Sequence, residues 1–469
     1  MDSITMTTEQ QLPKGWKKTT FGEIAQVVSG GTPNTKLGTN FAEKGKGISW
    51  ITPADLSKHT DKFISNGARD LSNDGYKSCS AKILPAGTVL LSSRAPIGYV
   101  AIAQNELSTN QGFKNFILSD DILSEYAYYY LKSIKSTIES LGSGTTFLEL
   151  SASNARRIPI IYPTSQETQQ AIVNKIESLF DEIDEGIGRL KTAAQQIQQY
   201  RQSLLKNAFN GELTKEWRSK HADTLPSENE LLAQIQTTRE QHHAQQLADW
   251  QTAVSQWEQN GKEGKKPSKP KAPTQAVKFE DNFADLPSGW LESSLGDTTD
   301  VFVGSTPSRK NNEYWDGDIS WVSSGEVNFS NILETKEKIT NLGLSNSSTN
   351  IHPIGTVMLA MIGEGKTRGQ AGILKIEACH NQNTAAIRVN KKYLLSEYLY
   401  YFFMFNYEQT RRIGSGNNQK ALNKTIIENM SFPICSLTEQ TQIVAILESK
   451  LTACDQLAAE LAKQLKQAE

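Results

Sequence analysis

Two pseudo-symmetric mixed α/β domains, separated by long antiparallel coiled-coil helices, are predicted by three features of this sequence. The chain repeats itself with a period near 272 residues. Each copy alternates short β-rich runs with an aromatic helix, and each copy is followed by an apolar seam at heptad spacing.

The repeat is read from ordered pairs of short motifs. Leu12-Pro13-Lys14-Gly15-Trp16 returns as Leu286-Pro287-Ser288-Gly289-Trp290, and Gly30-Gly31-Thr32-Pro33 as Gly304-Ser305-Thr306-Pro307. Ile48-Ser49-Trp50 returns as Ile319-Ser320-Trp321, Gly87-Thr88-Val89 as Gly355-Thr356-Val357, and Asn110-Gln111 as Asn381-Gln382. Ser124-Glu125-Tyr126 and Gly142-Ser143-Gly144 return as Ser396-Glu397-Tyr398 and Gly414-Ser415-Gly416. The order never changes, which chance does not produce.

Within each copy the periodicity names the elements. Val89 to Ser92 and Tyr99 to Ala103 read as β runs about a turn at Pro96-Ile97-Gly98, and Val357 to Ala360 and Gly372 to Ile376 repeat them. Ser124 stands where a helix cap is expected, and Ser396 starts the matching helix. The helices they open carry Tyr126, Tyr129, Tyr130, Ile134 and Ile138 in the first copy and end at Gly142 and near Gly414. Aromatic residues at that spacing are core; a base-stacking platform is the alternative.

The seams follow. Val444, Leu447, Leu451, Cys454, Ala458, Leu461 and Leu465 are spaced 3-4-3-4-3-4. Val173, Ile176, Phe180, Ile183, Ile187, Leu190 and Ala194 match them and run on through Ile197, Arg201, Leu204 and Ala208. A helix from about Gln166 to Ala208 is ~60 Å long and needs a partner for its stripe, which the second seam supplies. Residues 228–259 read as a polar helix, and Gly261 to Pro273 as an extended Lys/Pro/Gly linker. The expected boundaries are 12–163 for the first domain, 164–225 for the central helix and its closing segment, 226–280 for the helical insert and linker, 281–436 for the second domain and 437–469 for the last helix.

Composition excludes several classes. No apolar run of membrane-spanning length occurs and the first residues are polar, so cytoplasmic residence is the default. Four cysteines without a Cys-x-x-Cys pair argue against a disulfide scaffold or a zinc knuckle, and both His242-His243 and Cys379-His380 read as solvated faces rather than metal sites. The net charge of −2 is not that of a simple polyanion binder, so any basic surface must be local or supplied by partners. No Asn/Asp-Pro-Pro-Tyr/Phe methyltransferase motif, dinucleotide-binding glycine pattern or clear nuclease carboxylate set is present, so the chain reads as non-catalytic. Ala360 to Thr367 has a relaxed phosphate-loop pattern, but Arg368-Gly369-Gln370-Ala371-Gly372 leads into a β run. A true phosphate loop opens a helix.

Further motifs carry a family resemblance. Ile158-Pro159-Ile160 and Phe432-Pro433-Ile434 close the domains, Gln166-Glu167-Thr168-Gln169 and Thr438-Glu439-Gln440 open the helices, and Phe209-Asn210-Gly211-Glu212-Leu213-Thr214 with Trp217-Arg218 closes the central helix. Together with the tandem plan these resemble the specificity (S) subunit of type I restriction–modification systems. Two departures are that Pro163-Thr164-Ser165-Gln166 is a loose version of the helix entry, and that no second Phe-Asn-Gly-Glu-Leu segment precedes Glu469.

The resemblance implies two target-recognition domains that read the halves of a bipartite, asymmetric DNA target, with the helices as a ruler for the gap. It implies two methyltransferase (M) subunits and two restriction (R) subunits as partners. Those partners, not this chain, would bind S-adenosylmethionine, ATP and Mg. A recognition subunit of a type IIB-like enzyme, or a coiled-coil adaptor without DNA, remain the alternatives. Direct readout favours Arg for guanine and Asn or Gln for adenine, so the candidate DNA-binding residues lie in matching polar loops. In the first domain these are Thr32, Asn34, Lys36, Arg94, Asn110, Gln111, Ser143, Thr145 and Thr146. In the second they are Ser308, Arg309, Lys310, Lys366, Arg368, Asn381, Gln382, Asn417, Asn418, Gln419 and Lys420. Turn capping is the alternative for the Asn-Gln pairs.

Overall fold

The computed structural model describes residues 12–94, 96–143, 148–263, 266–270, 272, 283, 285–363, 365–412 and 421–468. The chain divides into two compact units, residues 1–186 and 187–469.

In the first unit, β1 (Trp16–Thr20) pairs antiparallel with β11 (Pro159–Pro163), which ties the ends of the domain together. Between them run β2 (Ala25–Ser29), β3 (Phe41–Ala42), β4 (Ile48–Ile51), β5 (Phe63–Ile64), β6 (Arg69–Leu71), β7 (Val89–Ser92), β8 (Val100–Ala103), β9 (Ser108–Thr109) and β10 (Phe113–Leu118). They form a five-stranded sheet in the order β2-β10-β7-β8-β5 and a four-stranded sheet in the order β3-β6-β4-β9. Every residue of β7 is buried. Val89 and Leu91 face one core with α1 (Ser124–Ser133) and α2 (Lys135–Ser140), while Leu90 faces a second core with Ile51 and Phe113. Apolar cover on both faces is why Val89 to Leu91 read as an unbroken apolar run.

The second unit repeats the plan. β12 (Leu291–Ser294) pairs with β21 (Ser431–Ile434). β13 (Thr299–Val303), β14 (Trp315–Val322), β15 (Ser330–Ile332), β16 (Glu337–Ile339), β17 (Val357–Ala360), β18 (Ala371–Leu374), β19 (Cys379–His380) and β20 (Thr384–Val389) form sheets ordered β13-β20-β17-β18-β15 and β16-β14-β19. The five-stranded orders correspond strand for strand, so the predicted pseudo-symmetric α/β pair is the observed fold.

Two local expectations are corrected. Ser124 does not cap its helix, whereas Ser396 starts its own as expected. Each is the first helical residue, and its hydroxyl donates to the carbonyl of Gly87 or Gly355, at 2.6 and 2.5 Å. Both glycines have φ near +90°, a conformation that favours glycine, so the Gly-Thr-Val and Ser-Glu-Tyr motifs form one clasp. The helix starts are instead satisfied from a distance. Gln169 Oε1 accepts from the Leu123 amide at 2.8 Å, and Gln440 Oε1 from that of Leu395 at 2.9 Å. The second correction concerns Cys379 and His380, which are buried core, not solvated.

The central helix, α3, runs Gln166–Phe209, as its periodicity predicts. Within the second unit its C-terminal half packs antiparallel on the last helix, α7 (Leu437–Ala468). Leu190, Ala193, Ala194 and Ile197 meet Cys454, Ala458 and Leu461. Arg201, the polar interruption of the seam, pairs with Asp455 of that helix. Farther toward the N-terminus the stripe is open at Phe180, 53% exposed, and Ile183, 47% exposed, before Val173 is buried in the core of the first domain.

Phe209 enters the core of the second domain among Tyr398 and Phe402 of α5 (Ser396–Phe405) and Phe405 itself, with ring centroids 5.2 to 5.5 Å apart. Glu439, 2% exposed, accepts from Thr214 Oγ1 at 2.7 Å, Arg218 Nε at 2.9 Å and Trp290 Nε1 at 3.0 Å. The family-like motifs of the closing segment, the domain entry and the last helix thus meet at one buried carboxylate. Thr168 stands where Glu439 does, one repeat earlier.

The insert helix α4 (Glu228–Gln259) opens on a Ser227/Glu230 capping box and buries Leu231 and Ile235 against the second domain. The described part of the linker folds back on this helix, with Trp250 Nε1 donating to the Pro267 carbonyl at 3.0 Å. That part is therefore not the extended spacer its composition predicts. No helix among the described residues is long and apolar enough to cross a membrane.

Candidate nucleic-acid interface

Three of the repeated motifs interlock in each domain. In the first, the Gly31 amide donates to the Thr109 carbonyl at 2.9 Å, and Trp50 Nε1 donates to the Gly31 carbonyl at 3.1 Å. In the second, the Ser305 amide donates to the His380 carbonyl at 3.0 Å, and Trp321 Nε1 donates to the Ser305 carbonyl at 3.2 Å. A Cβ on Gly30 would lie 1.9 Å from the Asn110 carbonyl oxygen, and one on Gly304 2.0 Å from that of His380. Close backbone approach explains both glycines.

Asn110 and Asn381 cap turns. Asn110 Oδ1 accepts from the Gly112 amide at 2.9 Å, and Asn381 Oδ1 from the Asn383 amide at 3.0 Å. Asn381 is also buried. The turns hold Gln111 and Gln382 exposed, and Gln382 Oε1 accepts from Thr306 Oγ1 at 2.5 Å.

Backbone hydrogen bonds continue this row to the next loops. The Ser93 amide donates to Gly112 at 2.7 Å and the Leu150 amide to Ser93 at 3.0 Å. In the second domain the Met361 amide donates to Asn383 at 2.9 Å and the Leu422 amide to Met361 at 3.0 Å. The Gly-x-Thr-Pro loop, the Asn-Gln turn, the β7–β8 or β17–β18 hairpin and the segment after the aromatic helix therefore form one contiguous rim per domain.

The side chains along the two rims differ. In the first, Thr32 Oγ1 is buried with no hydrogen-bond partner among the described residues, while Asn34 and Lys36 are exposed in a turn closed by the Lys36 amide donating to Asn34 Oδ1 at 3.1 Å. Arg94 pairs with Glu149 at 2.9 Å, and Ser143 and Glu149 exchange backbone bonds at 3.0 Å. Below them lies Lys114, buried, its ammonium 3.4 Å from Ser93 Oγ; burial holds its pKa below the usual lysine range, and Glu149 opposes that shift.

In the second, Arg309 lies over Trp315 at 3.8 Å and makes a two-pronged bond to Glu337, one prong at 2.9 Å. That hydrogen bond raises the Arg309 pKa and lowers that of Glu337. Ser308 and Lys310 are exposed beside it. Lys366 is exposed at a hairpin strapped to α6 (Tyr407–Arg412). Tyr407 donates to the Lys366 carbonyl, and the Arg368 guanidinium donates to the Arg411 carbonyl. After Gly369 the chain enters β18, so no helix N-terminus follows the phosphate-loop-like stretch. Thr145, Thr146, Asn417, Asn418, Gln419 and Lys420 lie outside the described residues.

Two rim-side cations escaped the sequence reading. One is Lys114. The other is Arg69, whose guanidinium stacks 3.6 Å from the Phe41 ring and 5.6 Å from Trp50. Arg69 pairs with Trp50 across the β4–β6 ladder as Glu337 pairs with Trp321 across β14–β16. Each domain thus lays one arginine on an aromatic pair, from different chain positions. The signal available was a charge reversal at matching repeat positions, an arginine facing a glutamate.

A family model described as "Type I restriction modification DNA specificity domain" matches residues 13–191 and 287–467. Among curated proteins, the MjaIX specificity subunit of Methanocaldococcus jannaschii is 39% identical over 201 residues, 42% of this chain and 45% of its own length. The HindI specificity subunit of Haemophilus influenzae is 29% identical over 210 residues, 43% of this chain and 42% of its own length. These matches span less than half of either relative. The crystal structure of the HsdS subunit from Thermoanaerobacter tengcongensis superposes with a TM-score of 0.59 at 16% identity, covering 98% of this chain and 96% of that one, a likeness of fold.

Proposed function

Because this chain belongs to the type I restriction modification DNA specificity family, with the family's domain present twice, we propose that it reads a bipartite, asymmetric DNA sequence for a restriction–modification enzyme. The observation that carries the reading is the pair of rims. One backbone framework, built from the same interlocked motifs, presents Asn34, Lys36, Arg94 and Gln111 in one domain and Arg309, Lys310, Lys366 and Gln382 in the other. A shared frame with unlike side chains suits two unlike half-sites, because sequence is read by side chains at base edges while the frame sets position.

The chain itself does no chemistry in this reading. Two methyltransferase subunits bring S-adenosylmethionine, and two restriction subunits bring ATP and Mg²⁺. The open stripe at Leu179, Phe180 and Ile183 offers one apolar surface for such a partner. With a net charge of −2 the chain neutralises few phosphates, and phosphate neutralisation supplies most DNA affinity. The chain alone therefore binds duplex DNA weakly, and tight site-specific binding appears when methyltransferase subunits are added. Nanomolar site-specific binding by the isolated chain at physiological salt contradicts this division of labour.

A further inference from the structure

A cleft of about 210 Å³ opens in the first domain between α1, α2, the β7–β8 hairpin and the segment before β5. Its charged and aromatic lining is His59, Asp61, Tyr99, Tyr128, Lys132 and Lys135, with Thr60 beside them. The repeat supplies an internal control. Gly98 and Gly369 both end their hairpins with positive φ and abut the next helix: a Cβ on Gly98 would lie 2.9 Å from Lys135, and one on Gly369 3.2 Å from Thr410 and 3.5 Å from Tyr407. Strand β5 meets β8 as β15 meets β18, Phe63 facing Ile102 where Asn331 faces Ile373. By that register Asp61 corresponds to Phe329, and by the helix register Lys132 corresponds to Met404.

In the second domain the corresponding space is filled. Phe329 packs edge-on against Tyr407 at 5.3 Å and Tyr400 at 6.3 Å, and Tyr400 donates to the Phe329 carbonyl at 2.6 Å. In the first domain Asp61 and Lys135 stand in place of Phe329 and Tyr407, and Lys132 stands in place of Met404. Lys132 Nζ donates to the Tyr128 hydroxyl at 3.2 Å and keeps two further N–H donors. Lys135 is 3.8 Å from Glu139, an exposed pair that costs little to break. His59 is held at the rim by donating Nε2–H to the Phe63 carbonyl at 3.0 Å.

We propose that this cleft takes a phosphate group of the DNA backbone, and that the second domain has no equivalent. The proposal rests on the DNA-reading function above and adds a binding point to it. The cleft abuts the hairpin that carries Arg94, so a phosphate held by Lys132 and Lys135 would fix the register of the hairpin on the duplex. The two lysines outnumber the one carboxylate of the lining, Asp61. A fixed backbone anchor in one domain only would also hold the two half-sites unequally.

The test measures duplex binding by the full chain, with its methyltransferase, across a salt series. Two variants are compared with wild type: Lys132→Ala with Lys135→Ala, and Asp61→Phe with Lys135→Tyr, which rebuilds the filling seen in the second domain. Both should weaken binding to target and non-target duplexes by the same factor. The slope of log affinity against log salt should fall by about one for each phosphate no longer neutralised, with thermal melting of the chain unchanged. Inorganic phosphate and a free mononucleotide should compete only weakly at millimolar concentration. Unaltered slopes in both variants, with wild-type binding intact, overturn the cleft and leave the DNA reading standing. Tight mononucleotide binding that the variants abolish, with unaltered DNA slopes, overturns the DNA source. Absence of any DNA binding by the wild-type complex overturns the function and the cleft together.

Discussion

Removing the guanidinium of Arg218 should destabilise the second unit by about 3–5 kcal/mol, the usual cost of leaving a buried charge without its partner. The geometry places this pair at the costly end. Glu439 is 2% exposed and Arg218 14%, at 2.9 Å. The carboxylate has two other donors, Thr214 and Trp290, but both are neutral and cannot balance its charge. Arg218 also lies 5.5 Å over the Trp290 ring and donates to the Gly211 carbonyl, so the closing segment loosens with it. Chemical denaturation of wild type, Arg218→Ala and Arg218→Ala with Glu439→Gln gives the magnitude. The double variant should recover most of the loss, because a neutral amide keeps the size of the carboxylate without its charge. A single-variant loss below ~1 kcal/mol, or a double variant worse than the single one, would refute the argument.

Three further outcomes follow from the same structure. Burial holds His380 down at about 4 and His352 at about 2, against ordinary values near 6.5. Both are neutral when folded, so stability is full above pH 6.5 and falls by up to ~1.4 kcal/mol per pH unit per histidine as acid protonates the unfolded chain first. His380→Thr with His352→Leu, the residues of the first domain, should flatten that fall in pH-dependent melting, and an unchanged slope would count against it. Arg309→Ala should leave stability within ~1 kcal/mol, since its pair with Glu337 is exposed. If Arg309 reads a guanine, the same change relaxes one base of one half-site at a cost of ~1–3 kcal/mol, measurable by binding to single-base variants. Four residues inserted between Ala193 and Gln196 add ~6 Å of helix. They should lengthen the unspecified gap in the methylated sequence and spare the half-site bases; altered half-sites would refute the ruler.

The sequence made the fold legible because the repeat is long and ordered, and because the seam of α3 and α7 keeps its period over many turns. It failed where a side chain's partner is distant in sequence. Ser124 looks like a helix cap, but its hydroxyl reaches Gly87 while Gln169 serves the helix start. His380 looked solvated because its partners, Thr384 by hydrogen bond and His352 by ring contact, meet only in the folded core. At the rims, loop positions were readable from the repeat, yet their roles were not. Asn110 and Asn381 cap turns, and Arg69 and Lys114 become visible only when Phe41, Trp50 and Ser93 are brought beside them.

Methylome sequencing of a host that expresses this chain with its methyltransferase tests the central claim most directly. Two unlike half-sites, separated by a fixed run of unspecified bases and methylated on adenine, are the predicted result. A single contiguous palindrome would contradict it.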